Sequence, residues 1–367
     1  MVTKTHFTIL DGLRGVAACM VVIFHLFEAN AVSPLTQIIN HGYLAVDFFF
    51  LLSGFVIGYA YDDRWEKLTI AGFFRKRLQR LQPMVVMGMF IGAVFFYFQA
   101  SNLWPGIATL PFWKVMLVMV IGFFMIPIPP SMDIRGWSET YPLNGPAWSL
   151  FYEYIVNIFY GLLVRRFSKF WLSVLVLVSG IALIHFSITN HSGDLIGGWS
   201  LEPEQLRIGF TRVMYPFFAG LLLYRTSTLV FIKNAFFWCS VLLIILLSIP
   251  RIGGTLHVWE NGLYESLTIV FLFPFIVFLG AGGSIQNKRT LQLSQWLGNI
   301  SYPLYITHYP LIYWYTAWVH DHKVSNLQSL GMGIIVFFIA LTIAFVALKC
   351  YDEPVRKWLQ TRNASQE

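Results

Sequence analysis

The chain has 367 residues, 57% hydrophobic, 17% aromatic and only 12% charged, with a formal net charge of +7. A soluble domain carries about 25% charged residues, so this composition excludes an ordinary water-soluble fold. A mean hydropathy of +0.64 and apolar runs recurring to the C-terminal end predict an all-α, polytopic integral membrane helix bundle.

No linker, low-complexity run or internal repeat divides the chain, so residues 1–367 read as one membrane domain. Apolar candidates for spans fall at about 13–29, 43–61, 83–100, 112–128, 147–164, 169–189, 207–225, 235–250, 263–281, 297–319 and 327–349. Asp11 precedes the first, which argues for a retained helix rather than a cleaved signal peptide. The cations gather in short stretches at 62–82, 165–169, 225–233, 286–289 and the tail. Such stretches mark cytoplasmic loops and give no reason to expect a nucleic-acid partner. All five share one side only if one of the eleven candidates does not cross. Segment 112–128 is short and ends in Pro127, Pro129 and Pro130, so it is the expected re-entrant piece. That leaves ten spans with both termini cytoplasmic.

The first span carries Arg14 and His25, about 20° apart around a helix and roughly 16 Å apart along it. Ionisable side chains in a membrane segment are costly and mark a pathway or reaction site. Asp47 opens the second span at a depth similar to His25. It is expected to hold one ring nitrogen of His25; pairing with an arginine or capping its own helix is the alternative. Ser53, Gly54 and Phe55 lie lower, near the depth of Arg14; Gly54 permits close approach of a backbone or a ligand. Arg75, Lys76, Arg77 and Arg80 then supply either topology charge or a site for a phosphorylated ligand.

Further on, Trp148, Ser149 and Glu153 open the next span, with Glu153 expected in its outer part. Arg212 sits at matched depth two spans later. The two form an ion pair or grip a polar acceptor, and Trp148 could stack on a sugar. His308 falls about midway along its span, as a packing residue or a second polar contact. Cys19, Cys239 and Cys350 are too few and wrongly spaced for a disulfide framework or a zinc site. HExxH, GxSxG, phosphate-loop and dinucleotide patterns are absent, which disfavours metal, nucleotide-hydrolysing and redox chemistry.

In order along the chain, LDGLRGVAA (10–18), the Arg-x10-His spacing, GYLAVDFFFLLSGFVI (42–57), FFRKRLQRLQP (73–83), AWSLFYE (147–153), ISYPLYITHYP (300–310) and YDEP (351–354) appear. This ordered set resembles the acyltransferase family 3 of integral membrane proteins. The resemblance implies ten transmembrane helices in a bacterial inner membrane. It also implies transfer of an acyl group, acetyl foremost, from cytoplasmic acyl-CoA to a hydroxyl of a carbohydrate or lipid-linked glycan. Carried over by position, His25 matches the essential histidine, Arg14 its paired arginine and Ser53 the serine of the SGF motif. Arg75, Arg77 and Arg80 fall in the arginine-rich motif, and Glu153 matches the glutamate of WSLxxE.

From these readings His25, Asp47 and Glu153 are the expected catalytic residues. Arg14, Arg75, Arg77, Arg80 and Ser53 are expected at the acyl-CoA, and Trp148, Arg212 and His308 at the acceptor. His25 acts as general base or as an acyl carrier. The chain stops soon after YDEP, so no fused SGNH hydrolase domain is expected, and a mechanism that hands the acyl group to such a domain would need a separate extracytoplasmic acyl-accepting partner. Membrane lipids are the remaining partners. A transporter or a non-catalytic acyl-CoA sensor is the rival reading.

Overall fold

The computed structural model describes residues 7–228, 230–322 and 324–364. Its helices are α1 (Thr8–Glu28), α2 (Ala45–Tyr61), α3 (Ile70–Phe95), α4 (Phe112–Phe123), α5 (Ala147–Leu162), α6 (Lys169–Thr189) and α7 (Pro203–Thr226). They continue with α8 (Ala235–Ser248), α9 (Val258–Leu267), α10 (Phe273–Gly282), α11 (Lys288–Thr307), α12 (Tyr309–His322), α13 (Asn326–Ala347) and α14 (Glu353–Ala364). Several starts are capped by side chains. Thr69 accepts from the Gly72 N–H, Ser168 from Trp171, and Asn287 from Arg289 and Thr290. Ser325 and Gln328 form a reciprocal capping box. Among the described residues, seven helical stretches are long and apolar enough to cross a bilayer unaided, including α1, α3, α6, α7 and the 37-residue run from Asn326 to Arg362.

Side-chain contacts set the direction of each helix. α1 and α11 run parallel: Ser294 donates to the Thr8 carbonyl, Arg14 to Ser301, and His25 stacks on His308. α2 and α7 are parallel too, with Asp47 on Arg212 and Asp62 on Arg225. α3 and α5 are antiparallel neighbours. Phe73 packs beside Gly161, Arg77 meets Glu153, and Gly92 lies against Leu143. This arrangement is impossible if α4, between them in sequence, crosses the whole bundle. α4 has twelve residues, about 18 Å of helix against a hydrocarbon core of about 30 Å. Its last carbonyl, at Phe123, accepts from Gln82, and the chain then turns back to Leu143 beside Gly92. The segment is re-entrant, for the reason its prolines suggest.

With α4 set aside, α1, α2, α3, α5, α6, α7, α8, α9–α10, α11–α12 and α13 alternate in direction. The cations of 75–80, 165–169, 225–233 and 288–289 gather at one end, which we refer to as the basic end.

Two breaks differ from the uninterrupted spans expected. α9 and α10 are joined by one π-helical turn at Thr268–Leu272. The span expected over 297–319 is interrupted at His308, between α11 and α12. Pro310 has no N–H to give the Ile306 carbonyl, and the Asn144 side-chain amide donates to it instead at 2.8 Å.

The α2–α7 crossing is the tightest contact near the site. A β-carbon at Gly54 would overlap the Phe217 carbonyl oxygen, and one at Gly220 would overlap that of Leu51. Gly54 thus serves the approach of a second backbone, one of the two roles its motif allowed. Gly54→Ala is expected to push these helices apart and destabilise the fold by about 1–3 kcal/mol. A thermal melt in detergent indistinguishable from the native protein would refute that tightness.

Candidate active site

Two cavities enter the bundle from opposite ends. The basic-end cavity, of about 720 Å³, is built by six segments. Arg14 comes from α1, Ser53 from α2, Arg77 and Arg80 from α3, and Glu153 from α5. Ser301 and Tyr305 of α11 complete it together with Asp352 and Arg356. Three of the four arginines are already neutralised. Arg14 binds Asp11 at 2.6 Å and donates to Ser301 at 3.0 Å. Arg77 binds Glu153 at 2.7 Å, and Arg356 binds Asp352 at 2.6 Å. Ser53 also donates to Glu153, at 2.8 Å. Arg80 forms no hydrogen bond or ion pair with any described residue. It is the guanidinium left free for an anion.

The opposite cavity, of about 660 Å³, holds His25 and Glu28 from α1, Trp148 from α5, Arg212 from α7, Tyr309 and Tyr313 from α12, and Glu139. His25 Nδ1 lies 2.7 Å from Glu28 Oε2. A carboxylate accepts only, so Nδ1 carries a proton towards it, and in the neutral ring the lone pair is on Nε2. The imidazole stacks on His308 at 5.8 Å between ring centres and meets the edge of Tyr309 at 4.8 Å. His308 Nδ1 faces the Leu304 and Tyr305 carbonyls at 3.1 and 2.9 Å, and its buried Nε2 has no partner. In the loop before α5, Glu139 accepts from Tyr313 at 2.6 Å beside Arg135, whose guanidinium lies 3.5 Å from the Tyr313 ring centre. Burial pushes the Glu139 carboxyl up to about 7, against the pull of Arg135 and the Tyr313 hydroxyl.

The expected partnerships are partly redrawn. Asp47 does not hold His25. It is fully buried and paired with Arg212 at 2.7 Å, and it lines neither cavity. Glu28, one helical turn beyond His25 on the same face, reaches the ring first. Arg212 is therefore not the mate of Glu153. Its donors go to Asp47, the Tyr43 carbonyl at 2.8 Å and the Gly197 carbonyl at 3.3 Å, and its guanidinium lies over Trp148 at 5.2 Å. Glu153 lies at the basic cavity rather than the outer one, because α5 turns it towards Arg77. Arg77 and Arg80 reach that cavity, while Arg75 is exposed on another face of α3. His308 is fully buried at the helix break, behind His25 and off both cavity walls.

The readings of the residues passed over Glu28, Asp352, Arg356, Glu139 and Arg135. The i,i+3 spacing of His25 and Glu28 and the i,i+4 spacing of Asp352 and Arg356 were visible signals. Nothing in the sequence placed Glu139 beside α12.

The helical membrane bundle thus holds two cavities that open at opposite ends and share the wall residues Val46 and Tyr305, with His25 in one and the arginines in the other. A family model described as an acyltransferase domain matches residues 7–349, and the chain belongs to that acyltransferase family. It is 34% identical to "Protein 2 in picA locus" of Rhizobium radiobacter, over 49% of this chain and 93% of that protein. It is 24% identical to O-acetyltransferase OatA of Staphylococcus aureus (strain NCTC 8325), over 95% of this chain. A putative O-acetyltransferase of Staphylococcus aureus (strain COL) matches equally, at 24% over 95% of the chain. The chain spans 57% of the length of each of these two. No solved structure matches the chain significantly.

Proposed function

We propose that the protein is a membrane O-acyltransferase that moves an uncharged acyl group, acetyl foremost, from acyl-CoA to a hydroxyl of a carbohydrate or glycolipid. The observation that carries this reading is the meeting of the two cavities. Val46 and Tyr305 line both, so a thioester entering among the arginines approaches the histidine that faces the other opening. By the positive-inside rule the basic end faces the cytoplasm, where acyl-CoA is found, and a bacterial inner membrane is the proposed location. The relatives named as O-acetyltransferases support the reaction class.

The CoA phosphates dock at Arg80 first, with Arg14 and Arg77 contributing as their carboxylates rearrange. The acceptor enters the opposite cavity, where Trp148 and Tyr309 offer aromatic faces. Its hydroxyl oxygen attacks the thioester carbon while its proton passes to His25 Nε2. The C–O bond forms as the C–S bond breaks, and the departing CoA thiolate takes up that proton. Glu28 fixes the tautomer and stabilises the imidazolium that forms. A charged acyl group such as succinyl is disfavoured, because it would need a free cation near the acyl end, and Arg212 on that cavity wall is already paired with Asp47.

Arg80→Ala is expected to raise the KM for acetyl-CoA roughly ten- to a hundred-fold, the loss of one charge-assisted contact to phosphate. Arg14→Ala should cost less, because Arg14 is already paired. Initial rates of purified protein in lipid check this. Equal KM values for native and Arg80→Ala protein would remove the donor from the basic cavity.

A further inference from the structure

Val46 of α2 and Tyr305 of α11 are the residues shared by the two cavity walls. Both are 6% exposed, so between them they fill the place where the cavities would otherwise merge. The partition is made of side chains. The Tyr305 hydroxyl is tied to Ser149 Oγ at 2.8 Å and lies 3.4 Å from the Pro146 carbonyl, and its ring meets the edge of Phe49 at 5.3 Å. Trp148 and Ser149, consecutive in the first turn of α5, face opposite sides of this wall. Trp148 lines the histidine cavity and Ser149 the basic one. The helix carrying Tyr305 breaks one turn later, at His308. Backbone there can shift more readily than in the middle of an unbroken helix.

We propose that Tyr305 and Val46 form a gate through which the thioester end of the donor passes to reach His25, and that their bulk sets the longest acyl chain transferred. This rests on the reading that acyl-CoA occupies the basic cavity. An acyl group enters the passage ahead of the sulfur, so every added methylene must clear the ring of Tyr305 and the branch of Val46. It must then share the histidine cavity with the acceptor. Short acyl groups fit and long ones are excluded by size, because closely packed walls cannot absorb extra volume without displacement. The tie from Tyr305 to Ser149 holds the gate shut in the absence of donor.

The test uses the full chain in lipid nanodiscs with acetyl-, butyryl- and octanoyl-CoA. The readouts are free CoA thiol release, with sugars or water as acceptor, and calorimetric titration with CoA. Native protein is expected to turn over acetyl-CoA and to discriminate against octanoyl-CoA. Val46→Ala and Tyr305→Leu are expected to raise the octanoyl-to-acetyl rate ratio by roughly tenfold or more. Val46→Phe should plug the passage. It should bind CoA within about twofold of native and lose acetyl turnover at least about tenfold. Should Tyr305→Leu fail to fold, Val46→Ala and Val46→Phe decide the matter alone. The gate is overturned if folded, active Val46→Ala keeps the native chain-length profile, or if Val46→Phe turns over acetyl-CoA at the native rate. Failure of the parent reading shows earlier and separately, as native protein that neither binds CoA nor cleaves any of the three thioesters.

Discussion

Purified His25→Ala protein in lipid should bind CoA as the native protein does yet lose acyl transfer by roughly 10²–10⁴-fold, the range for removing a general base. Its small effect on donor binding follows from geometry. The free guanidinium of Arg80 lies in the basic cavity and His25 lines the other. Glu28→Gln keeps an acceptor for the Nδ1 proton but removes the charge that steadies the imidazolium. A drop of about tenfold is expected, the difference between a charged and a neutral hydrogen bond. Rapid-quench measurement of CoA release in a single turnover separates the chemical step from binding. Native single-turnover rates in His25→Ala would end the general-base assignment.

Asp47 tests a different physics. It and Arg212 form an ion pair between α2 and α7 with side chains 0% and 2% exposed, Asp47 off both cavity walls. Removing one partner strands a buried charge. Asp47→Leu or Arg212→Met alone is expected to lower stability by ~3–5 kcal/mol, whereas the double replacement recovers most of it. Turnover separates the readings, because a catalytic Asp47 acts on the reaction rather than on stability. In that case Asp47→Asn would melt like the native protein and lose turnover, and the double variant would be stable but inactive. Thermal unfolding in detergent, together with transfer assays on the four variants, decides between these outcomes. A stable, inactive Asp47→Asn protein would return the aspartate to the reaction.

How much of this was legible beforehand depends on the range of the interaction. His25 and Arg14 lie on one helix, so a fixed rise and turn angle placed them correctly at two depths of the same face. The same arithmetic, applied to His25 and Glu28, would have found the true partner of the imidazole. Depth alone does not choose between the two partners expected for Asp47, the ring of His25 or an arginine. Two residues at one depth on neighbouring helices meet only if both side chains turn inward, and the rotation of α2 is set by its contact with α7 through Gly54 and Gly220. Glu153 was displaced for a similar reason: its helix starts near the outer end, but its second turn already faces Arg77.

The sequence by itself determined the solvent of this protein, its helical class, the side on which cations gather, the failure of 112–128 to cross and the identity of its chemically unusual residues. These follow from composition, local periodicity and proline, each of which acts within one or two turns of chain. Only the tertiary structure decided which charges neutralise one another, which arginine is left free and where the two cavities meet. Those are properties of helices far apart in sequence, fixed by close packing that no local rule encodes.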